Sequence, residues 1–292
     1  MPRRRIVKKN NYYELDFIWS KGHNIIDNYC QTETETQNKE KFIIDAINKF
    51  DNIIYIKSGF DIETFSNNIH LLNKPKILLT TDGDGGFPSS YNKTIIGKII
   101  NNKFITKWYI QNLENNNYEK VKPFPIGLDL HTKGWKIGKT PLDKVNYMLN
   151  LNYQKDKKNS ILIDCYMTKE RHIERKKAID ILENKEHIDT LKKRYDIKSI
   201  LKLYSDYKFV LSPHGNGLDC HRTWEVLLVG SIPIVKTSSL DILYEDLPVV
   251  IVKDWNECLD IKNLEKWYNK YRNLTEKDYI IEKFSYKYWL NK

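Results

Sequence analysis

The sequence predicts an α/β protein of two Rossmann-like halves facing one another across a cleft. Three observations predict it. Short β-branched apolar runs alternate with polar helical stretches, the pattern of βαβ units on a parallel sheet. The alternation stops over a polar segment, Asn152 to Ser160, and restarts beyond it. Late in the chain a buried-strand pattern runs into a glycine-containing loop and then a helix. Open parallel sheets bind ligands beyond the carboxyl ends of such strands. The 292 residues suit two domains, and 40% hydrophobic with 29% charged residues describes a chain that buries a core. Fibrous and wholly disordered classes are excluded.

In the first half, Ile53 to Ile56 reads as a buried strand, Asp61 to Leu72 as a helix and Lys76 to Thr81 as a second strand. Phe104 to Tyr109 and Val121 to Ile126 continue the series. Beyond the linker, Ile161 to Ile163 reads as a strand and Glu170 to Leu182 as a basic amphipathic helix. Tyr207 to Leu211 is a strand, Asp219 to Val229 a helix, and Ser231 to Val235 and Val249 to Val252 are strands. The tail, Tyr279 to Leu290, carries Ile280, Ile281, Phe284, Tyr288 and Trp289 at helical spacing and reads as a packing helix. The expected domains are 1–155, 156–275, which holds the glycine-containing loop and its ligand, and a C-terminal helix at 276–292 packing back on the first domain.

A formal net charge of +10 raises a nucleic-acid-binding protein as the non-enzymatic alternative, yet the lysines are scattered rather than clustered. No apolar run approaches the roughly 20 residues of a membrane span. No apolar stretch follows Met1-Pro2-Arg3-Arg4-Arg5, so the expectation is a cytoplasmic protein without a signal peptide or membrane span. Cys30, Cys165, Cys220 and Cys258 are isolated and read as reduced thiols. The Asn-x-Thr patterns at Asn92 and Asn273 carry no meaning without export.

The most informative stretch runs from Phe209 to Glu225. Gly215 and Gly217 let backbone N–H groups approach a ligand, and the following helix N-terminus adds positive partial charge. Asp219 is placed to cap that helix, and Gly230 sits where a C′ glycine belongs. Arg222 and Glu225, three residues apart, share a helix face. The arginine suits a diphosphate and the carboxylate suits ribose hydroxyls. The competing reading is ordinary loop punctuation with an Arg222–Glu225 helix salt bridge. A dinucleotide fingerprint and a Walker loop both fail on spacing.

Asp82-Gly83-Asp84 follows a strand and has three readings: a general base on the acceptor, an Asp-x-Asp metal site, or a plain turn. The base reading is preferred, because Arg222 and the helix dipole already stabilise a leaving diphosphate. His131 is a lesser base candidate. Lys107 and Asn112 are candidates for the acceptor side, with Trp108 read as core. Arg171 and Arg175 either reach donor phosphates or form a solvated basic face.

Ser212-Pro213-His214-Gly215-Asn216-Gly217-Leu218-Asp219, then His221-Arg222-Thr223-Trp224-Glu225 and Gly230-Ser231-Ile232-Pro233-Ile234-Val235, resembles the donor-binding signature of exostosin-like glycosyltransferases. Lys107 to Asn112 and Pro125 to His131 are similar more weakly. The similarity to small viral and microbial members covers about residues 76 to 257. Val226 departs from the usual alanine. The resemblance implies a GT-B fold and inverting transfer from a nucleotide-sugar, with no metal or other cofactor. A UDP-sugar is favoured, with UDP-xylose as one candidate, and the acceptor would be a glycan or glycoprotein. It also implies that Arg222 meets the diphosphate, Glu225 the ribose and His214 the phosphates, with Ser212, Asn216 and Asp219 in the donor loop. A metal-dependent Asp-x-Asp transferase is the alternative enzyme.

Overall fold

A computed structural model describes residues 17–20, 39–48, 52–115, 117–151, 156–165 and 172–292. Cys30, Arg171 and residues 152–155 of the polar linker lie outside them. The first half runs α1 (Lys39–Asn48), β1 (Ile53–Lys57), α2 (Phe60–Asn68), β2 (Lys76–Thr81), α3 (Lys93–Ile100), β3 (Ile105–Ile110), β4 (Val121–Pro123) and α4 (Pro141–Leu151). Its four strands pair in parallel in the order β1-β2-β3-β4. The second half runs β5 (Lys158–Ile163), α5 (Ile173–Leu182), β6 (Ile188–Thr190), α6 (Ile197–Asp206), β7 (Tyr207–Leu211), α7 (His221–Leu228), β8 (Ile232–Lys236), β9 (Val250–Val252) and α8 (Ile261–Tyr271). Its strands pair in parallel in the order β6-β5-β7-β8-β9. Two parallel sheets with crossover helices make the expected pair of Rossmann-like halves.

Central strands buried on both faces read as continuous apolar runs, which is why β2, β7 and β8 fall where the sequence placed them, whereas β5 starts at Lys158, inside the expected linker and three residues before the apolar run. The expected strand Val121 to Ile126 ends early, at Pro123. Pro123 and Pro125 have no N–H to give to a ladder.

In α7, Thr223 to Leu228 are all buried, because the helix lies between the two halves. Its end is a Schellman turn: Gly230 N donates to Leu227 O, Ser231 N donates to Val226 O, and Gly230 has φ 74°. The tail is two short helices, α9 (Lys277–Lys283) and α10 (Tyr286–Asn291), rather than one. The break falls at Ser285, whose Oγ accepts from Tyr288 N and caps α10. Tyr286 stacks on Phe124 of the first half, with centroids 5.7 Å apart, while Phe284 and Trp289 pack edge-on to Trp224 of the second. One apolar core therefore runs through both halves and the tail. Asn92 is the N-cap of α3, its Oδ1 accepting from Thr94 N, which gives that Asn-x-Thr pattern a structural purpose. No disulfide joins Cys165, Cys220 or Cys258, and no described helix is long and apolar enough to cross a membrane.

Candidate functional site

In the second sheet, chain order reverses between β5 and β7, the neighbouring strands from which connections leave in opposite directions. The crevice beyond their carboxyl ends is where such sheets bind ligands. Asp164 follows β5 and the 212–220 loop follows β7, so both enter this crevice. Arg222, in the first turn of α7, places Nε 2.6 Å from Asp164 Oδ1. Tyr204, on α6, donates its hydroxyl to the other Asp164 oxygen. Burial opposes the charge on Arg222, but Asp164 and Tyr204 outweigh it and hold the guanidinium protonated. Its Nε and Nη1 are shielded from solvent, yet neither makes a hydrogen bond among the described residues. Buried donors of this kind are rare and costly, and an oxygen-rich ligand would satisfy them. Asp164 had a signal in the sequence, a carboxylate directly after a predicted strand, but only the pairing of β5 with β7 brings it to Arg222.

Arg175 of α5 closes the other side. Its Nε donates to His214 O at 3.2 Å, and a Cβ on Gly215 would lie 2.9 Å from its Nη2. Arg175 and Arg222 both act electrostatically on Cys165 and Cys220, which places two cations around these thiols. Burial pushes Cys165 up to about 11 and raises Cys220, so both are thiols at neutral pH. Burial also lowers the pKa of His214, keeping its imidazole neutral.

Gly217 serves the packing of the halves. A Cβ on Gly217 would lie 2.5 Å from Asn112 Nδ2, and Gly215 N already donates to Gly217 O. Asn112 was expected to line the acceptor side. It pins the interface instead, with Oδ1 accepting from Asp219 N and Nδ2 donating to Gly83 O. Asn216 is exposed and donates across the seam to Asp84 Oδ2 at 2.9 Å. Ser212 is buried and bonded to Thr223 Oγ1, locking the end of β7 to α7.

The expected capping role of Asp219 is corrected. Cys220 is the N-cap and makes no side-chain cap bond. Asp219 lies one residue earlier, where its buried carboxylate accepts from Ile126 N, Cys220 N and Trp224 Nε1. The Ile126 bond, at 2.8 Å, ties the second half to the first. Burial pushes the Asp219 carboxyl up to about 6 against the pull of these donors. A folded pKa above the unfolded one means that this group's contribution is complete below about 4 and is lost as pH rises through about 6. The Asp219→Asn variant lacks this titration. Its stability offset from the wild type should therefore change between about pH 4 and 7.5 by on the order of 3 kcal/mol. Chemical denaturation at several pH values measures it, and a constant offset would show an ordinary carboxyl.

Glu225 and Arg222 do not pair with each other. Glu225 Oε1 takes Lys144 Nζ of α4 at 2.6 Å, and Lys144 also donates to Asp129 O at 2.6 Å. Sequence reading missed Lys144 because nothing local marks it as buried.

In the first half, the carboxyl ends of β2 and β3 face the second half. Asp82 has φ 62° and pairs with Lys57 Nζ at 2.9 Å, while Asp84 points across to Asn216. His131 Nδ1 lies 3.3 Å from Asp129 Oδ1 and 3.2 Å from Ser20 Oγ. Lys107 sits within β3, its Nζ against Tyr109, whose hydroxyl donates to Leu290 O in the tail. It thus lies on a sheet face under α10 and not at the strand ends. Trp108 is buried in the core and donates to Thr80 Oγ1.

No family model matches the chain, and no curated protein matches it. Among solved structures it is similar to an α1,3-fucosyltransferase, with 13% identity over 96% of this chain and 87% of the other, at a TM-score of 0.38. It is similar to Anabaena HepE in complex with UDP-glucose, with 13% identity over 85% and 78%, at a TM-score of 0.42. It is also similar to a glycosyltransferase from Rickettsia africae, with 13% identity over 90% and 82%, at a TM-score of 0.43.

Proposed function

We propose that the protein is an inverting glycosyltransferase that moves a sugar from a nucleoside diphosphate to a glycan hydroxyl. The observation that carries this reading is the buried Arg222 guanidinium at the switch point of the second sheet, held by Asp164 with Nη1 lacking an acceptor among the described residues. Arg175 adds a second cation beside the 214–215 backbone. Two guanidinium groups in a low-dielectric crevice match the charge that develops on a departing diphosphate. A UDP-sugar is the favoured donor on the resemblance of the 212–235 signature, with UDP-xylose one candidate.

The donor contact therefore comes from the arginines more than from the glycine amides. Glu225 belongs to this reading as a ribose ligand only through whatever its Lys144-bound carboxylate can still accept. His131 takes the acceptor proton, because it alone among the three base candidates is backed by a carboxylate. Asp82 is committed to Lys57. Asp84, through Asn216, brings the 82–86 loop against the donor loop. In the reaction, the acceptor O–H proton passes to His131 and the oxygen bonds to the anomeric carbon. The anomeric C–O bond breaks with its electron pair going to the diphosphate. Holding both substrates between the halves supplies much of the acceleration.

A thermal-shift panel of UDP-, GDP- and dTDP-sugars tests the reading. One nucleotide class should stabilise the protein by about 2.7 kcal/mol at a hundredfold excess over its dissociation constant. Turnover should persist in EDTA. Loss of turnover that Mn²⁺ restores would move the charge-stabilising role to a metal held by Asp82 and Asp84. Failure of every nucleotide to shift the melting temperature would sink the transferase reading.

A further inference from the structure

Two basic segments, distant in the chain, meet beside the crevice of the second sheet. The first, residues 133–139, carries Lys133, Lys136 and Lys139. The second, residues 193–198, carries Lys193, Arg194 and Lys198. It begins just beyond β6, where Leu191 N donates to Ile163 O, the residue before Asp164. The segments join across the seam of the halves. The Arg194 guanidinium lies 5.7 Å from the Trp135 ring centre, and Tyr147 of α4 donates its hydroxyl to Lys198 O at 3.2 Å. All six cations are exposed, and none of their side chains has a carboxylate within ion-pairing distance among the described residues. The two carboxylates nearest in sequence are spent on backbone amides: Asp143 accepts from Lys139 N and Thr140 N, and Asp196 from Lys198 N and Ser199 N. Each cation of the second segment rests on a ring, with Lys193 Nζ 5.2 Å from the centre of Tyr195 and Lys198 Nζ 6.0 Å from that of Tyr147. The three rings are half-buried and packed against the main core. Such contacts hold long side chains in place and lower the entropy that capturing an anion costs.

We propose that this rim holds an anionic stretch of the acceptor, a glycan carrying carboxylate or phosphate groups along its chain. This rests on the transferase reading, which places the acceptor in the crevice that the rim borders. An arginine stacked on a ring keeps its guanidinium edge for bidentate contact with a carboxylate or phosphate. The lysines add point charges that tolerate variable spacing between anionic groups. A nucleic acid fits less well. Its bases bind by stacking on open ring faces, whereas these rings carry a cation and pack against the core. A membrane surface calls for exposed apolar side chains beside the lysines. The exposed large apolar residues are Phe42, Ile173, Ile242 and Ile261, none of which lies in either segment. In sequence the lysines look scattered, and only folding joins the two segments.

Titration calorimetry with oligogalacturonate, poly(glycerol phosphate) and neutral dextran tests the proposal. The wild type should bind one charged probe about tenfold or more tightly than dextran, and that affinity should weaken several-fold between about 50 and 200 mM salt. The tighter of the two charged probes identifies the anionic group as carboxylate or phosphate. A triple variant, Lys136→Glu with Lys193→Glu and Lys198→Glu, should lose about tenfold or more of that affinity. It should keep the wild-type melting temperature and nucleotide shift, since all three sites are exposed. Lys262→Glu with Lys266→Glu and Lys270→Glu makes the same charge change on α8, which packs on the other face of the second sheet from α6. This control should retain wild-type affinity. Equal losses in the two triple variants would reduce the effect to net charge and overturn the proposal. So would an unchanged affinity in the first variant, or dextran binding as tightly as both charged probes. Tighter binding of single-stranded DNA than of either charged glycan would give the rim to nucleic acid instead. If no nucleotide shifts the melting temperature of the wild type, the transferase reading itself falls, and the rim has no acceptor to hold.

Discussion

Arg222→Lys should lower nucleotide-sugar turnover on the order of 10²–10³-fold while leaving the melting temperature within a few degrees of wild type. The lysine keeps one positive charge for Asp164, so the buried carboxylate stays paired and the fold survives. It loses the planar fork, and with it Nη1, which makes no hydrogen bond among the described residues. That nitrogen is the donor assigned to the diphosphate. Arg222→Ala is a poorer experiment. It strands Asp164, whose side chain is 8% exposed, and breaking a buried pair costs about 3–5 kcal/mol. A steady-state measurement of kcat/KM for the donor, with a melting curve on the same sample, separates the two effects. Near wild-type kcat/KM in Arg222→Lys would remove the guanidinium from the diphosphate.

Lys144→Met should destabilise the protein by about 3–5 kcal/mol, because it leaves Glu225 charged, buried and without its cation. For a two-domain chain of this length that corresponds to a melting temperature lower by roughly 10 °C. Replacing both partners, as Lys144→Met with Glu225→Leu, should recover most of the loss, since a buried ion pair exchanged for apolar side chains of similar volume is often neutral. The same double variant reports on the ribose. If UDP binding survives in it, Glu225 is a strut between the halves and no more. If binding falls more than tenfold at restored stability, the carboxylate serves both. A single Lys144→Met variant as stable as wild type would mean that water reaches Glu225 and the pair is not buried in solution.

The fold was largely legible because its signals are local. The runs Lys76 to Thr81 and Tyr207 to Leu211 matched β2 and β7 residue for residue, since strands of a doubly covered parallel sheet are marked by continuous apolar sequence. Gly230 was placed correctly because a helix C-terminus with positive φ selects glycine from its own backbone geometry. Helices such as α4 and α6 went unassigned although α6 is capped by Asp196, whose Oδ1 accepts from Lys198 N and Ser199 N. In α6 the residues Ile197, Ile200, Leu201 and Tyr204 keep the helical period, so the signal for that helix is present in the sequence.

The candidate site divided along the same line. That Arg222 stands in the first turn of a helix after a glycine loop followed from sequence alone, because loop, cap and helix are consecutive residues. What Arg222, Glu225 and Gly217 contact did not, nor the bond from Ile126 to Asp219, because those partners are far away in the chain. Asp164 meets Arg222 because β5 and β7 are neighbours, and Lys144 meets Glu225 because α7 is enclosed by both halves. Asn112 and Ile126 reach Gly217 and Asp219 only when the carboxyl edges of the two sheets are brought face to face. By itself the amino-acid order determined where strands, turns and helix ends fall, since these depend on dihedral preference and burial period over a few residues. The choice of partner for each buried charge was decided by the tertiary structure, because in a low-dielectric interior a carboxylate pairs with whichever cation the packing brings within reach, whatever its position in the chain.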